Sequence, residues 1–310
     1  MIPCALLNAF TLTQKMDKRK NDNGEKKPLI NERSLIILLS FFGKFPWYFS
    51  YFIHSCRYNL SINFCIITDN DKIPNKPKNV SLIAITKEQF KNLATKRLGF
   101  SVALIQGYKI CDFRPSLGYL FPELIKGYDF WGYGDIDIIY GDLRKFLTDE
   151  LLDNYDIFSF RPEYLTGSFT ILRNTRKINT LFMQSKDYKT VLSQSEYFNF
   201  DECNFIFSPL QDEIPIDEIP CQIESFTHVV RKKEKEKYLR SYFDFNLVEG
   251  SAGKVKWRDG KIIYMNQFEA ILYHFLKFKD RCKHNARLIP KNKNEIICFS
   301  PNNIYKRKLS

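Results

Sequence analysis

No apolar run in this sequence is long enough to cross a bilayer. The stretch SLIILLSFF (Ser34–Phe42) has nine residues, against about 20 for a spanning helix. The first residues lack a charged region ahead of their apolar part and show no cleavage site, so no secretory leader is expected. The chain is read as soluble and cytoplasmic. Paired cysteines at C-x-x-C spacing are also missing. The eight cysteines (4, 56, 65, 111, 203, 221, 282, 298) are scattered through apolar surroundings such as NFCIITD and EIICFS. That distribution excludes a zinc site and a disulfide framework, and it leaves free thiols acting as small hydrophobes. No internal repeat and no change of composition divides the chain.

What is abundant is aromatic residue and positive charge. Aromatics make up 15% of 310 residues, with 28 Phe and 17 Tyr, which excludes general disorder. The formal charge is +12, and it collects in KMDKRKNDNGEKK, in VRKKEKEKY and from Lys279 onward. These clusters are not interleaved with aromatics on one face, so a nucleic-acid partner is not expected. The basic C-terminal segment suits peripheral contact with anionic headgroups at the inner face of the plasma membrane.

Residues 1–32 read as a flexible polar arm, 33–280 as one α/β domain and 281–310 as a basic tail. The apolar runs SLIILLSFF, INFCIITDND and NVSLIAIT alternate with helical stretches, among them PWYFSYFIHSCRYN. That alternation predicts a mainly parallel sheet with helices on both faces. Residues 87–126 read as mostly helical, with Pro115 opening a second helix. The segments 221–231 and 255–264 are expected as short strands, and NQFEAILYHFLKFKD (266–280) as an aromatic helix.

The anomaly is FWGYGDIDIIYGDL (Phe130–Leu143). It places Asp135 and Asp137 at the end of an apolar, aromatic strand. An unpaired ionised carboxylate loses several kcal/mol of hydration there, so positive charge is expected beside the pair. Residues i and i+2 of a strand point to one side, and the carboxyl edge of an open α/β sheet is where ligands bind. Gly132 and Gly134 permit close backbone approach. Two carboxylates with substrate phosphates suit a hard divalent cation, Mg²⁺ or Mn²⁺.

The segment FWGYGDIDIIYGDLRKFL resembles the Asp-x-Asp segment of GT-A-type glycosyltransferases of bacterial surface-polysaccharide gene sets. The resemblance spans roughly residues 34–280. It continues through SFFGKFPWYF, IITDND, YKICDFRPSLGYLFPELI, TGSFTILRN, FDECNF and YHFLKFK. It implies a GT-A-like (Rossmann-like) mixed sheet in a single domain. The nucleotide-sugar half would cover about 33–145 and the acceptor half about 146–280. It also implies a metal-dependent hexosyltransferase for capsule, lipopolysaccharide or a related glycan, moving sugar from a nucleotide diphosphate to a glycan or lipid-linked acceptor. UDP is favoured as carrier because it is common for this fold.

On that resemblance Asp135 and Asp137 hold the cation, with His274 as a further metal or diphosphate contact. Phe42, Gly43 and Asp69 lie where base and ribose would sit. Lys109, Asp112 and Arg114 are placed to contact the nucleotide or its phosphates, although Lys109 and Asp112, three apart on a helix, can equally pair with each other. In Asp201-Glu202, Glu202 is the favoured acceptor base and Asp201 an orienting or acceptor-binding group, and the reverse assignment stays open. A helix N-terminus carrying two acids is the plainer account. Gly167 and Ser168 are the acceptor-proximal positions, and Ser168 stands where relatives carry His. Two other readings remain: a nucleic-acid-binding metal nuclease, or a sugar nucleotidyltransferase, for which SFFGKFP is a poor match.

Overall fold

The structure is a computed structural model describing residues 32–105, 107–282 and 295–308. Its main sheet begins with β1 (Leu35–Ser40), β2 (Ile62–Thr68), β3 (Val80–Ala84) and β4 (Phe130–Gly134). Short β5 (Ile138–Tyr140) leaves this sheet. β6 (Ile157–Ser159), β7 (Phe169–Arg173) and β8 (Ser241–Phe243) complete it. The order across its seven strands is β3-β2-β1-β4-β7-β6-β8. Every pairing is parallel except those made by β7, which runs antiparallel to β4 and β6. The mixed, mainly parallel α/β sheet expected from the sequence is present.

β1 shows why its run lacks alternation. Leu35, Ile37 and Leu39 join the cluster containing Phe49, Phe52 and Ile53 of the helix Phe49–Cys56. Ile36 and Leu38 face the opposite cluster, with Phe90 and Ala94 of the helix Lys87–Leu98. A strand between two helical layers has no polar face. Burying a side chain such as Phe52 contributes about 1.5–3 kcal/mol. The helix Lys87–Leu98 is bounded by sequence: Thr86 and Gln89 form a capping box, and Gly99 ends it at φ +78°.

Two smaller sheets follow. β9 (Leu247–Glu249), β10 (Val255–Arg258), β11 (Lys261–Tyr264), β12 (Phe268–Ala270), β13 (Leu272–His274), β14 (Glu295–Ser300) and β15 (Asn303–Lys308) build them. One is five-stranded in the order β12-β11-β10-β14-β15, and the other is β5-β13-β9. Trp257 on β10 donates its indole N–H to the Tyr140 carbonyl at 2.7 Å, joining the two.

Three expectations change. Residues 266–280 hold β12 and β13 in place of a long helix, leaving only the turn Phe278–Arg281. Ala270, Ile271, Leu272, Tyr273 and Phe275 are all fully buried, and an unbroken buried run suits a strand held between two others. Within 221–231, a helix, Phe226–Lys235, replaces the expected strand, capped by Ser225 and His228. Residues 295–308, within the segment read as a tail, form the β14–β15 hairpin, whose β14 pairs with β10. The N-terminal arm lies outside the described residues apart from its last position. No helix among the described residues is long and apolar enough to cross a membrane.

Candidate active site

β1, β2 and β4 are parallel, so their carboxyl ends share one edge. There the Gly43 N–H donates to Asp69 Oδ1 at 2.7 Å, with Gly43 at φ +108°, and Asn70 returns a bond to the Gly43 carbonyl at 2.8 Å. Phe42 lies edge-on to Phe90. These three residues are neighbours, as the sequence implied. β7 runs the other way and so begins at this edge. The Asp135 N–H donates to the Ser168 carbonyl at 3.0 Å, bringing Gly167-Ser168 against the Asp-x-Asp turn. A Cβ on Gly134 would stand 2.6 Å from that carbonyl, and one on Gly132 2.6 Å from the Thr170 carbonyl. The two glycines are what lets β7 approach β4.

Asp135-Ile136-Asp137 forms the bend between β4 and β5. Ile136 is buried in the core and the carboxylates turn the other way. β13 pairs with β5 so that His274 lies opposite Ile138. His274 Nε2 is thereby set 3.5 Å from Asp137 Oδ1 and 4.0 Å from Asp135 Oδ2. One ligand atom from each of these three residues lies within 4.8 Å of the others. Glu249 on β9 faces His274 Nδ1 at 3.1 Å and so orients the ring with Nε2 toward the two aspartates. Arg161 holds Glu249 at 2.6 Å. Two carboxylates and one imidazole make a donor set that can hold a divalent cation.

Positive charge stands beside the pair, as the sequence demanded. Lys279 donates to Asp137 Oδ2 at 2.7 Å. Arg114, nearly buried, spans two acids: Nη2 pairs with Asp135 and Nη1 with Asp201 Oδ2 at 2.8 Å. Burial pushes Asp137 up, but His274 and Lys279 outweigh it and hold the carboxyl below its ordinary range. For His274, burial pulls the imidazole down, and the facing Asp137 and Glu249 raise it well above its usual value. Asp135 is raised by burial and by its neighbour Asp137, against the pull of Arg114.

Asp201 and Glu202 separate clearly. Asp201 is fully buried, with Oδ2 on Arg114 and Oδ1 without a partner. Glu202 is half-buried. It accepts from the Gly167 N–H and from Asn199 Nδ2, both at 2.7 Å. Burial raises both carboxyls. Neither residue starts a helix, since the nearest, Phe207–Gln211, begins later. Gly167 is enclosed by this group.

Lys109 and Asp112 are placed differently. They pair at 2.9 Å with no exposure of either side chain. Asp112 also accepts from the Phe198 and Phe200 N–H groups at 3.0 and 2.8 Å, and Lys109 donates to the Glu196 carbonyl at 2.7 Å. The internal pairing is the role the structure gives them, as a clamp on the loop that delivers Asp201-Glu202. Ser168 contributes its backbone, and its buried hydroxyl has no partner. Lys279, Glu249, Arg161 and Asn199 are the residues sequence reasoning missed.

The family described as "Family of unknown function (DUF6625)" matches residues 37–307. The chain belongs to this family. The description carries no activity. No curated protein matches the chain. Among solved structures, it is similar to mouse xyloside xylosyltransferase 1 in its apo form, at 9% identity and TM-score 0.42, covering 77% of this chain and 96% of that one. It is also similar to the galactosyltransferase LgtC in complex with donor and acceptor sugar analogues, at 10% identity and TM-score 0.36, covering 77% and 86%. Likenesses this distant say nothing about activity.

Proposed function

We propose that this protein is a metal-dependent glycosyltransferase that moves a hexose from a nucleotide-diphosphate sugar to a glycan or lipid-linked acceptor. The observation that carries the reading is the convergence of Asp135, Asp137 and His274 at the carboxyl edge of the parallel strands, beside the acids Asp201 and Glu202. Asp135, Asp137 and His274 would hold Mn²⁺ or Mg²⁺, which when bound offsets diphosphate charge as a Lewis acid. Lys279 and Arg114 add cationic side chains that exchange carboxylate for phosphate. The Gly43–Asp69 contact forms the floor for base and ribose.

Glu202 is the group we assign as base toward the acceptor hydroxyl. It is the open member of its pair, it is fixed by two donors, and burial lifts its carboxyl toward the range a general base needs. Asp201 orients Arg114. The carrier we favour is UDP. The setting we propose is surface-polysaccharide synthesis in the cytoplasm, with peripheral contact at the inner membrane face through the basic C-terminal region.

A thermal-shift panel of UDP, GDP, CDP and ADP, with and without Mn²⁺, tests this on wild type and Asp137→Ala. The expected outcome is cation-dependent stabilisation by one nucleotide, absent in the variant. If folded wild type responds to none of the four, the reading fails.

A further inference from the structure

The loop that carries the acid pair also carries an exposed ring in an unusual backbone state. Phe205 is 52% exposed at φ +63°, a conformation costly for a bulky L residue. Its ring stands 5.4 Å from Tyr197, edge-on, and Tyr197 is stacked with Tyr108 at 6.1 Å. Tyr108 is 68% exposed. The three rings form one row beside the acid loop.

One buried side chain ties this row to Glu202. The Asn199 amide donates through Nδ2 to Glu202 Oε2 at 2.7 Å and to the Tyr197 hydroxyl at 3.0 Å. Its Oδ1 accepts from the Phe205 N–H at 3.1 Å. Asn199 itself has φ +54°. Strained backbone is thus kept in order to hold an exposed ring at a set position from a carboxylate. A hydrophobic anchor for the fold would be buried, and these end rings are not.

We propose that Tyr108, Tyr197 and Phe205 form the subsite for the acceptor's sugar ring. The subsite rests on the transferase reading and names where its acceptor binds. A pyranose presents an apolar C–H face and a rim of hydroxyls. Aromatic rings complement the face, and the Glu202 carboxylate accepts from the rim. A purely apolar partner would leave that carboxylate desolvated without a donor. Asn199 is the positioning residue that sets the spacing between ring and base.

The test uses methyl glycosides of glucose, galactose and N-acetylglucosamine, with saturation-transfer NMR on the full chain without nucleotide. Wild type is expected to transfer saturation to the pyranose protons of at least one glycoside. Phe205→Gly and Tyr108→Ala should each bind it roughly tenfold more weakly. Phe205→Gly should melt at or above wild type, because glycine accepts the left-handed backbone; a lost signal then reports the ring and not the fold. Asp137→Ala should keep glycoside binding while losing any nucleotide response. No transfer in wild type, or undiminished transfer in both ring variants, overturns the subsite. A nucleotide response without glycoside binding sinks the subsite alone; glycoside binding without a nucleotide response sinks the donor reading alone.

Discussion

Gly167 has no room for a methyl group. A Cβ there would stand 2.4 Å from Asp201 Oδ2, 2.6 Å from Arg114 Nη1 and 3.2 Å from Glu202 Oε1. All three groups are held by ion pairs or by donors, so none can swing aside freely. Gly167→Ala should therefore lower unfolding free energy by about 1–3 kcal/mol, the usual cost of overpacking, as read from urea titration. It should also cut transfer activity by disturbing Arg114 and Glu202 together. An alanine variant as stable and as active as wild type would show that the acid pair is looser than these distances imply.

At the scale of elements, the seam between the helix Phe49–Cys56 and β10 contains a histidine whose Nε2 has no hydrogen-bond partner among the described residues. His54 lies between Tyr58 and Trp257, with ring centroids at 5.4 and 5.0 Å, and its Nε2 is buried. Burial, then the charges of Arg57 and Lys306, lower it from 6.5 to about 4. The unfolded chain thus binds this proton more readily than the folded one. The stability tied to His54 is complete above about pH 6.5 and declines as pH falls toward about 4. Urea titrations of wild type and His54→Phe from pH 7.5 to 4.5 should converge at high pH and separate at low pH, with wild type losing more. Parallel curves would remove His54 as the cause.

Elements also differ in how legible they were. β1, β2, β3 and β4 are each announced by an apolar run ending at polar punctuation, and the structure keeps all four. Asp135 and Asp137 were readable because carboxylates violate their local context. His274 was singled out from sequence, but on the wrong element: its segment has good helix formers, and pairing with β5 and β9 overrides them. Lys279, Glu249 and Asn199 left almost no local signal. Their roles come from contacts made across long stretches of chain, which single-residue chemistry does not encode. Asn199 in YFNFDECNF could have been weighed, since asparagine tolerates positive φ; nothing in that stretch says what its amide would hold.

Taken whole, the molecule assembles its acidic centre from both ends of the chain's order. Asp137 is neutralised by a lysine 142 positions later, and the strand that brings His274 is inserted between β5 and β9. During synthesis the carboxylates are therefore made long before their counter-charges leave the ribosome. β5, three residues long, has no strand partner in its own sheet until β13 arrives. A chain stopped after Ala270 should be cut readily by a protease around Ile138–Tyr140, where the full chain resists; equal resistance would mean that this turn is ordered without its late partners. The clasp that closes the centre is thus also a check on completion, because an unfinished copy keeps its acids apart from the residues that make them useful.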